Sequence, residues 1–231
     1  MIPKIIHYCW LSGDPYPELV SKCINSWKEI IPDYQFVLWD RTKINIEEIP
    51  WVKEAYGVRK YAFAADFIRF YALYNYGGIY LDADVEVLKS FDPILNNKYF
   101  LGEECGGDVE AAVVGAEAKL PWVKYCLDYY NGRHFIKEDG TYDTRPVPLL
   151  VNEAVLKYDL SVMPYQYFSP KNYHLGKVNI IEETYCVHHF DGKWVSHGWK
   201  FFLKKIFHIC LYKVVGREGH NKIVKQIRKH V

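Results

Sequence analysis

The chain has 231 residues, half of them apolar and a quarter charged, with a net charge of +1 at pH 7; such a chain can bury a substantial single core and reads as an ordinary globular protein. No apolar run approaches the ~20 residues of a membrane span. Cys9, Cys23, Cys105, Cys126, Cys186 and Cys210 show no CxxC spacing, which argues against a secreted disulfide scaffold and leaves them as reduced thiols.

In chain order, KIIHYCW (4–10) reads as a strand, PELVSKCINSWKEI (17–30) as a helix and YQFVLWD (34–40) as a second strand. The first strand begins almost at once, with no apolar leader or cleavage site, so a cytosolic protein is expected. Helical spacing of apolar and aromatic residues predicts a helix over about Lys60–Tyr76, stopped by Gly77 and Gly78. An apolar strand then runs into Asp82 and Asp84. KYFLGEE (98–104) and AAVVGAE (111–117) are strand candidates, PWVKYCLDYYN (121–131) and VPLLVNEAVLKY (147–158) are helices, and strands are expected around Tyr165–Ser169 and Asn179–Phe190. Strands alternating with helices argue for an α/β domain with a mostly parallel sheet, in which ligands gather at the carboxyl ends of strands. Trp10, Asp40 and the Asp82/Asp84 pair all fall at such ends. EDGTYDTRP (138–146) is the most loop-like interior stretch and is expected to flank an acceptor.

The charge is unevenly placed. Residues 199–231 carry nine Lys and Arg against Glu218 alone, which gives +8 there and leaves −7 for residues 1–198. Within that tail Trp199, Phe202, Leu203, Ile206, Phe207, Cys210 and Val214 follow helical spacing, with Lys200, Lys204 and His208 turned largely away. A basic amphipathic helix suits an anionic membrane surface, and equally a terminal helix docked on the body with a solvated basic face. No nucleic-acid motif accompanies the charge, so nucleic acid is not expected as a partner.

The chemistry concentrates in residues 59–88. In an extended segment Asp82 and Asp84 point to the same side and can reach one hard divalent ion, with oxygen ligation favouring Mg²⁺ or Mn²⁺. Asp66 and Arg69 lie three apart on one face of the preceding helix. In isolation they read as an intrahelical ion pair. Beside a metal-binding pair they are what a sugar nucleotide requires: hydrogen bonds to sugar hydroxyls and positive charge against a diphosphate.

The combination of IPKIIHYCWLSG (2–13), AADFIRFYALYNYGGIYLDAD (64–84) and HHFDGKW (188–194) resembles glycosyltransferase family 32, the capsule and mannosyltransferase-like group related to the glucosyltransferase domains of large clostridial toxins. The resemblance covers roughly residues 1–195. It implies a GT-A fold over residues 1–198, followed by the basic segment 199–231. It also implies a nucleotide-sugar donor, a divalent metal and retention of anomeric configuration. A UDP-sugar is expected ahead of a GDP-sugar, and the acceptor is expected to be a saccharide or lipid-linked saccharide of surface polysaccharide or capsule synthesis. The location that follows is cytoplasmic, peripheral on the inner face of the cell membrane.

Carried over residue by residue, the resemblance gives Trp10 as the ring that stacks on the donor base and Asp66 and Arg69 as the sugar- and phosphate-contacting pair, with Ala65 where toxin relatives have serine. Tyr80 would touch the donor. Asp82 would hold the sugar or ribose and assist the metal, and Asp84 would ligate it directly. Family members often end in HHxxGSW, whereas this chain puts Lys193 in the serine position beside Trp194, so an ammonium takes over from a hydroxyl near the diphosphate. By analogy with the HxxGxxKPW segment of family 8, His189 is the expected third metal ligand, with His188 as its competitor. Arg69 and Lys193 would stabilise the departing diphosphate while Asp66 orients the sugar. Front-face attack and a nucleophile or base among Glu103, Glu104 and Asp108 both remain open.

Two other classes compete. A haloacid-dehalogenase-type phosphohydrolase also uses DxD, yet Glu86 stands where Thr or Val is usual and Ala112 where the later aspartate is required. A non-catalytic carbohydrate-binding relative would keep the fold, and the intact Asp66, Arg69, Asp82 and Asp84 argue against it.

Overall fold

The computed structural model describes residues 1–173, 175–191 and 199–229, the side chains of 199–205, 225, 228 and 229 excepted. Chain order runs β1 (Ile5–Cys9), α1 (Glu18–Ile30), β2 (Gln35–Trp39), α2 (Pro50–Gly57), α3 (Tyr61–Tyr76), β3 (Gly78–Leu81), β4 (Val85–Val87), β5 (Tyr99–Glu103), β6 (Val109–Ala116), α4 (Pro121–Asp128), α5 (Val147–Tyr158), β7 (Cys186–His188) and α6 (Trp199–Lys229). The main sheet has the order β2-β1-β3-β6-β5. β1 pairs in parallel with both β2 and β3, and β6 is antiparallel to β3 and β5, so β6 alone is reversed and the sheet is mostly parallel as expected. A small second sheet joins β4 to β7 antiparallel, with Val85 opposite His188.

Both faces of the main sheet are covered, which is why its strands read as apolar runs rather than alternating ones. Successive residues of β3 face opposite ways. Ile79 and Leu81 join Ile6, Phe100 and the Val20, Ile24 and Trp27 stripe of α1, whereas Tyr80 joins the core beneath α2, α3, α4 and α5. α3 is buried on every side from Phe63 to Phe70, the condition a helix meets when apolar all round. That burial is what makes its two charged residues informative.

The turn from α3 into β3 rests on two glycines. Gly77 and Gly78 have φ of +65° and +104°, and a Cβ on Gly78 would lie 2.7 Å from the Ile5 carbonyl oxygen; only glycine accommodates both the conformation and the approach. Beside them His7 is buried. The Trp39 indole donates to its Nδ1 at 3.1 Å, so Nε2 carries the proton and donates to the Gly77 carbonyl at 2.8 Å.

Two expected strands turn out differently. Residues 165–169 form turns, because the Tyr167 and Ser169 amides donate back to the carbonyls of Pro164 and Tyr165 instead of to a neighbouring strand. Of residues 179–190 only Cys186–His188 is paired. Upstream, the Thr184 hydroxyl accepts from the Ile181 amide at 2.9 Å and donates to the Gln166 carbonyl at 2.8 Å, engaging backbone groups that a ladder would need. The basic tail is helical but broken at Gly216, whose φ is +67°. Across the break His208 Nδ1 comes within 2.8 Å of His220 Nε2, residues that a straight helix would hold roughly 18 Å apart.

Burial pushes the His7 pKa down to about 4. The unfolded chain therefore binds a proton between about pH 6.5 and pH 4 that the folded protein does not, and stability is lost as the pH falls through that window, by up to roughly 3 kcal/mol. Urea unfolding at a series of pH values should show this slope in the wild type and a shallower one in His7→Gln. Identical slopes would assign the acid sensitivity to other groups.

Candidate active site

Asp82 and Asp84 follow β3 in a tight turn rather than an extended segment: the Val85 amide donates to the Asp82 carbonyl at 3.1 Å, while the Asp82 amide is held by the Ala112 carbonyl of β6 at 2.9 Å. The chain then enters β4, whose partner β7 delivers His188. One ligand atom each from Asp82, Asp84 and His188 lie within 4.8 Å of one another. Two carboxylates and one imidazole are donors a divalent cation accepts.

His188 stands between two acids. Its Nε2 lies 3.5 Å from Asp84 Oδ1, and its Nδ1 lies 3.1 Å from Oε2 of Glu110, which is buried in β6. Burial disfavours charge on all three, yet the pairing outweighs it. The carboxyl of Asp84 is lowered to about 2 by His188 and by the Asp191 amide, that of Glu110 also lies below the usual range, and the His188 pKa is raised well above its ordinary value.

Arg69 forms the other half of the site. Its guanidinium donates through Nη1 to Asp66 Oδ1 and through Nη2 to Asp82 Oδ1, both at 3.0 Å, and lies 4.6 Å from the centre of the Tyr80 ring. The i, i+3 pair of α3 thus reaches across to the metal-binding turn. Burial pushes the Asp66 carboxyl up to about 7, with Arg69 pulling it down and Asp82 pushing it up. The same burial works against charge on Arg69, but Asp82, Tyr80 and Asp66 more than offset it and the guanidinium stays charged. Among the described residues the buried Arg69 Nε has no hydrogen-bond partner.

Two expectations change. His189 is not in the cluster: its Nε2 sits 2.8 Å from Glu86, which also receives Lys22, so the strand turns His189 away and His188 inward. Tyr80 is 1% exposed and packs in the core under Arg69, so it supports the guanidinium and has no face left for a donor. Of the acids named in the 103–108 loop, Glu103 pairs with Arg217 of α6 at 2.9 Å, and Glu104 and Asp108 close the loop through a backbone hydrogen bond. Trp10 keeps its strand-end position, with its indole donating to the Asp14 carbonyl at 2.7 Å and its ring edge-on to Tyr16. Lys193 and Trp194 lie outside the described residues. Glu110 escaped the sequence reading, although an acid at the start of the apolar run VEAAVVGA was a signal that it faces something polar.

A family model described as "Glycosyltransferase sugar-binding region containing DXD motif" matches residues 17–101. Inositol phosphoceramide mannosyltransferase 3 of Schizosaccharomyces pombe is 37% identical over 165 residues, 65% of this chain and 44% of the relative. Mannosyl phosphorylinositol ceramide synthase SUR1 of Saccharomyces cerevisiae is 33% identical over 212 residues, 87% of this chain and 50% of the relative. The chain thus spans half or less of the length of these two proteins. An uncharacterized glycosyltransferase, L373, of Acanthamoeba polyphaga mimivirus is 26% identical over 85% of each chain. Among solved structures the PaToxG glycosyltransferase superposes with a TM-score of 0.51 at 18% identity, covering 68% of this chain and 69% of that one. That likeness is one of fold. Together with the Asp82–Ala83–Asp84 turn inside a GT-A-like sheet, these matches show that the chain belongs to the DXD-containing glycosyltransferases of the family 32 type.

Proposed function

We propose that the protein is a metal-dependent, retaining hexosyltransferase that uses a nucleotide-sugar donor. The observation that carries this reading is the convergence of Asp82, Asp84 and His188 beside a buried Arg69 that already bridges Asp66 and Asp82. A divalent ion held by those three side chains supplies Lewis-acid charge to the donor diphosphate. Arg69 adds fixed positive charge beside it, and Asp66 accepts from the sugar hydroxyls. Lys193 is assigned to the departing phosphate, and Trp10 and Trp194 to the nucleotide. Front-face attack by the acceptor hydroxyl is favoured over attack by Glu103, because that carboxylate is paired with Arg217. The names of the yeast relatives favour mannose as the sugar, which sets GDP-mannose beside the UDP-sugars as donor. They also favour a lipid-bearing acceptor.

A thermal-shift panel of UDP-sugars and GDP-mannose with and without Mn²⁺ tests the donor directly, since ligand binding raises the melting temperature by mass action. One nucleotide sugar should stabilise the protein, and only with the metal. Asp84→Asn should keep the fold and lose turnover on the order of 10²–10³-fold. Full activity in excess EDTA, or unchanged turnover in Asp84→Asn, would remove the metal from the mechanism.

Arg69→Lys isolates the geometry from the charge. An ammonium cannot span two carboxylates as the guanidinium fork does, so turnover should fall about 100-fold while the far-ultraviolet circular dichroism stays native. Near wild-type turnover would reduce Asp66 and Arg69 to a helix salt bridge.

The anionic membrane surface belongs to the same proposal, as does a location on the inner face of the cell membrane. Among the described residues no helix is long and apolar enough to cross a membrane. The reading is supported by α6, where Phe207 is 48% and Val214 81% exposed beside the exposed Ile206 and Cys210, on a helix whose other face buries His208 and Tyr212. Apolar residues facing outward on a segment of net charge +8 suit lipid headgroups. The protein should cosediment with vesicles containing anionic lipid and release as salt rises, and binding should weaken when Lys200, Lys204 and Lys205 are changed to Glu, at about 1 kcal/mol per basic residue. Equal binding to neutral and anionic vesicles speaks against it.

A further inference from the structure

Glu110 is an acid where the fold offers an apolar position. All eight residues of β6 are buried, and on either side of it Val109 and Ala111 pack into the core. A carboxylate left unpaired there would cost several kcal/mol, and an apolar residue of similar volume would serve packing as well. Both of its oxygens are directed. Oε1 accepts the amide of Ala112 at 2.7 Å, which pins the side chain to its own strand, and Oε2 meets Nδ1 of His188 at 3.1 Å across the seam between the two sheets.

We propose that Glu110 is a positioning residue: by accepting from Nδ1 it fixes the ring of His188 so that Nε2 is the nitrogen presented to Asp82 and Asp84. The inference rests on the reading of these three side chains as a metal site. An ionised carboxylate only accepts, so Nδ1 keeps its proton as the donor, and Nε2, on the aspartate side, is the nitrogen that gives up its proton when a metal ion binds. The ring plane is held as well, with Phe190 against it at a centroid distance of 4.0 Å. His189 has no such arrangement, because its Nε2 is the nitrogen engaged, by Glu86. A carboxylate behind a ligating imidazole sets the tautomer and raises its basicity, and removing such a partner commonly weakens metal affinity 10–100-fold.

The test is Mn²⁺ binding, read from the electron paramagnetic resonance of free Mn²⁺, in the wild type, His188→Ala, Glu110→Leu and Glu110→Gln, with the melting temperature of each. Pulsed measurements on the bound ion report whether an imidazole nitrogen is coupled to it. His188→Ala should abolish the nitrogen coupling and weaken binding by roughly 10–100-fold. Glu110→Leu should weaken binding by a similar factor and diminish the coupling, and Glu110→Gln, which keeps an acceptor oxygen but not the charge, should lose several-fold. If His188→Ala binds Mn²⁺ as the wild type does, the metal reading itself fails. If His188→Ala is impaired while Glu110→Gln, or a folded Glu110→Leu, binds Mn²⁺ with wild-type affinity and coupling, the metal reading stands and the role given to Glu110 is wrong. A lowered melting temperature with unchanged affinity would make Glu110 a packing element.

Discussion

The site depends on one guanidinium. Arg69 is buried in a helix whose only other charged residue is Asp66, and it holds two carboxylates that belong to different elements, Asp66 of α3 and Asp82 of the turn after β3. Without it the buried Asp66 would face a low-dielectric interior uncompensated, and breaking such a buried pair by removing one partner typically costs about 3–5 kcal/mol. The arrangement explains why Tyr80 is buried directly beneath: an aromatic face is one of the few apolar surfaces that accepts a guanidinium. It also sets a division of labour between the aspartates. Asp82 is shared between the guanidinium and the cluster of three, whereas Asp84 is gripped by the C-terminal segment.

That grip joins regions more than a hundred residues apart. The amide of His189 donates to the Asp84 carbonyl at 3.0 Å and the amide of Asp191 to its carboxylate at 2.8 Å. The pairing of Val85 with His188 sets the register. A one-residue slip in that pairing would exchange the faces of His188 and His189, since side chains alternate along a strand. The small sheet therefore selects which histidine meets the aspartates, and its register is set by backbone hydrogen bonds rather than by the carboxylates themselves.

This selection is also where the sequence ceased to be legible. The α/β pattern, the stop at Gly77–Gly78 and the coupling of Asp66 and Arg69 to the aspartate pair could be read, because each depends on neighbours a few residues away. Adjacent histidines cannot be ranked without a register, and the register of β7 is set by β4, a hundred residues upstream. Glu103, Glu104 and Asp108 could be named as acids of a glycine-containing loop, but not the pairing of Glu103 with Arg217, more than a hundred residues downstream. Glu110, two residues further on, fell just outside the strand expected over 111–117, whereas β6 begins at Val109 and takes it in. The turns at 165–169 were misread for a related reason, since aromatic residues favour strands by packing, and Phe168 packs just as well from a turn against Phe100.

Among its described side chains, the tail inverts the usual arrangement of a terminal helix. α6 docks through polar groups: Tyr212 Oη, Arg217 Nε and Asn221 Nδ2 all donate to the Cys105 carbonyl, at 3.3, 3.1 and 3.2 Å, and Arg217 continues to Glu103. A carbonyl oxygen has two lone pairs, so three donors must share them, and the distances sit at the long end of the normal range accordingly. The break at Gly216 makes the convergence possible by bringing residues on both of its sides to one loop. An ordinary terminal helix would bury its apolar face and solvate its polar one. Here the polar contacts are consumed at the loop between β5 and β6, and Ile206, Phe207 and Val214 are left facing outward. The amphipathic pattern was legible in the sequence, but not which face would dock, because the groups that receive it, the Cys105 carbonyl and Glu103, lie on a distant loop.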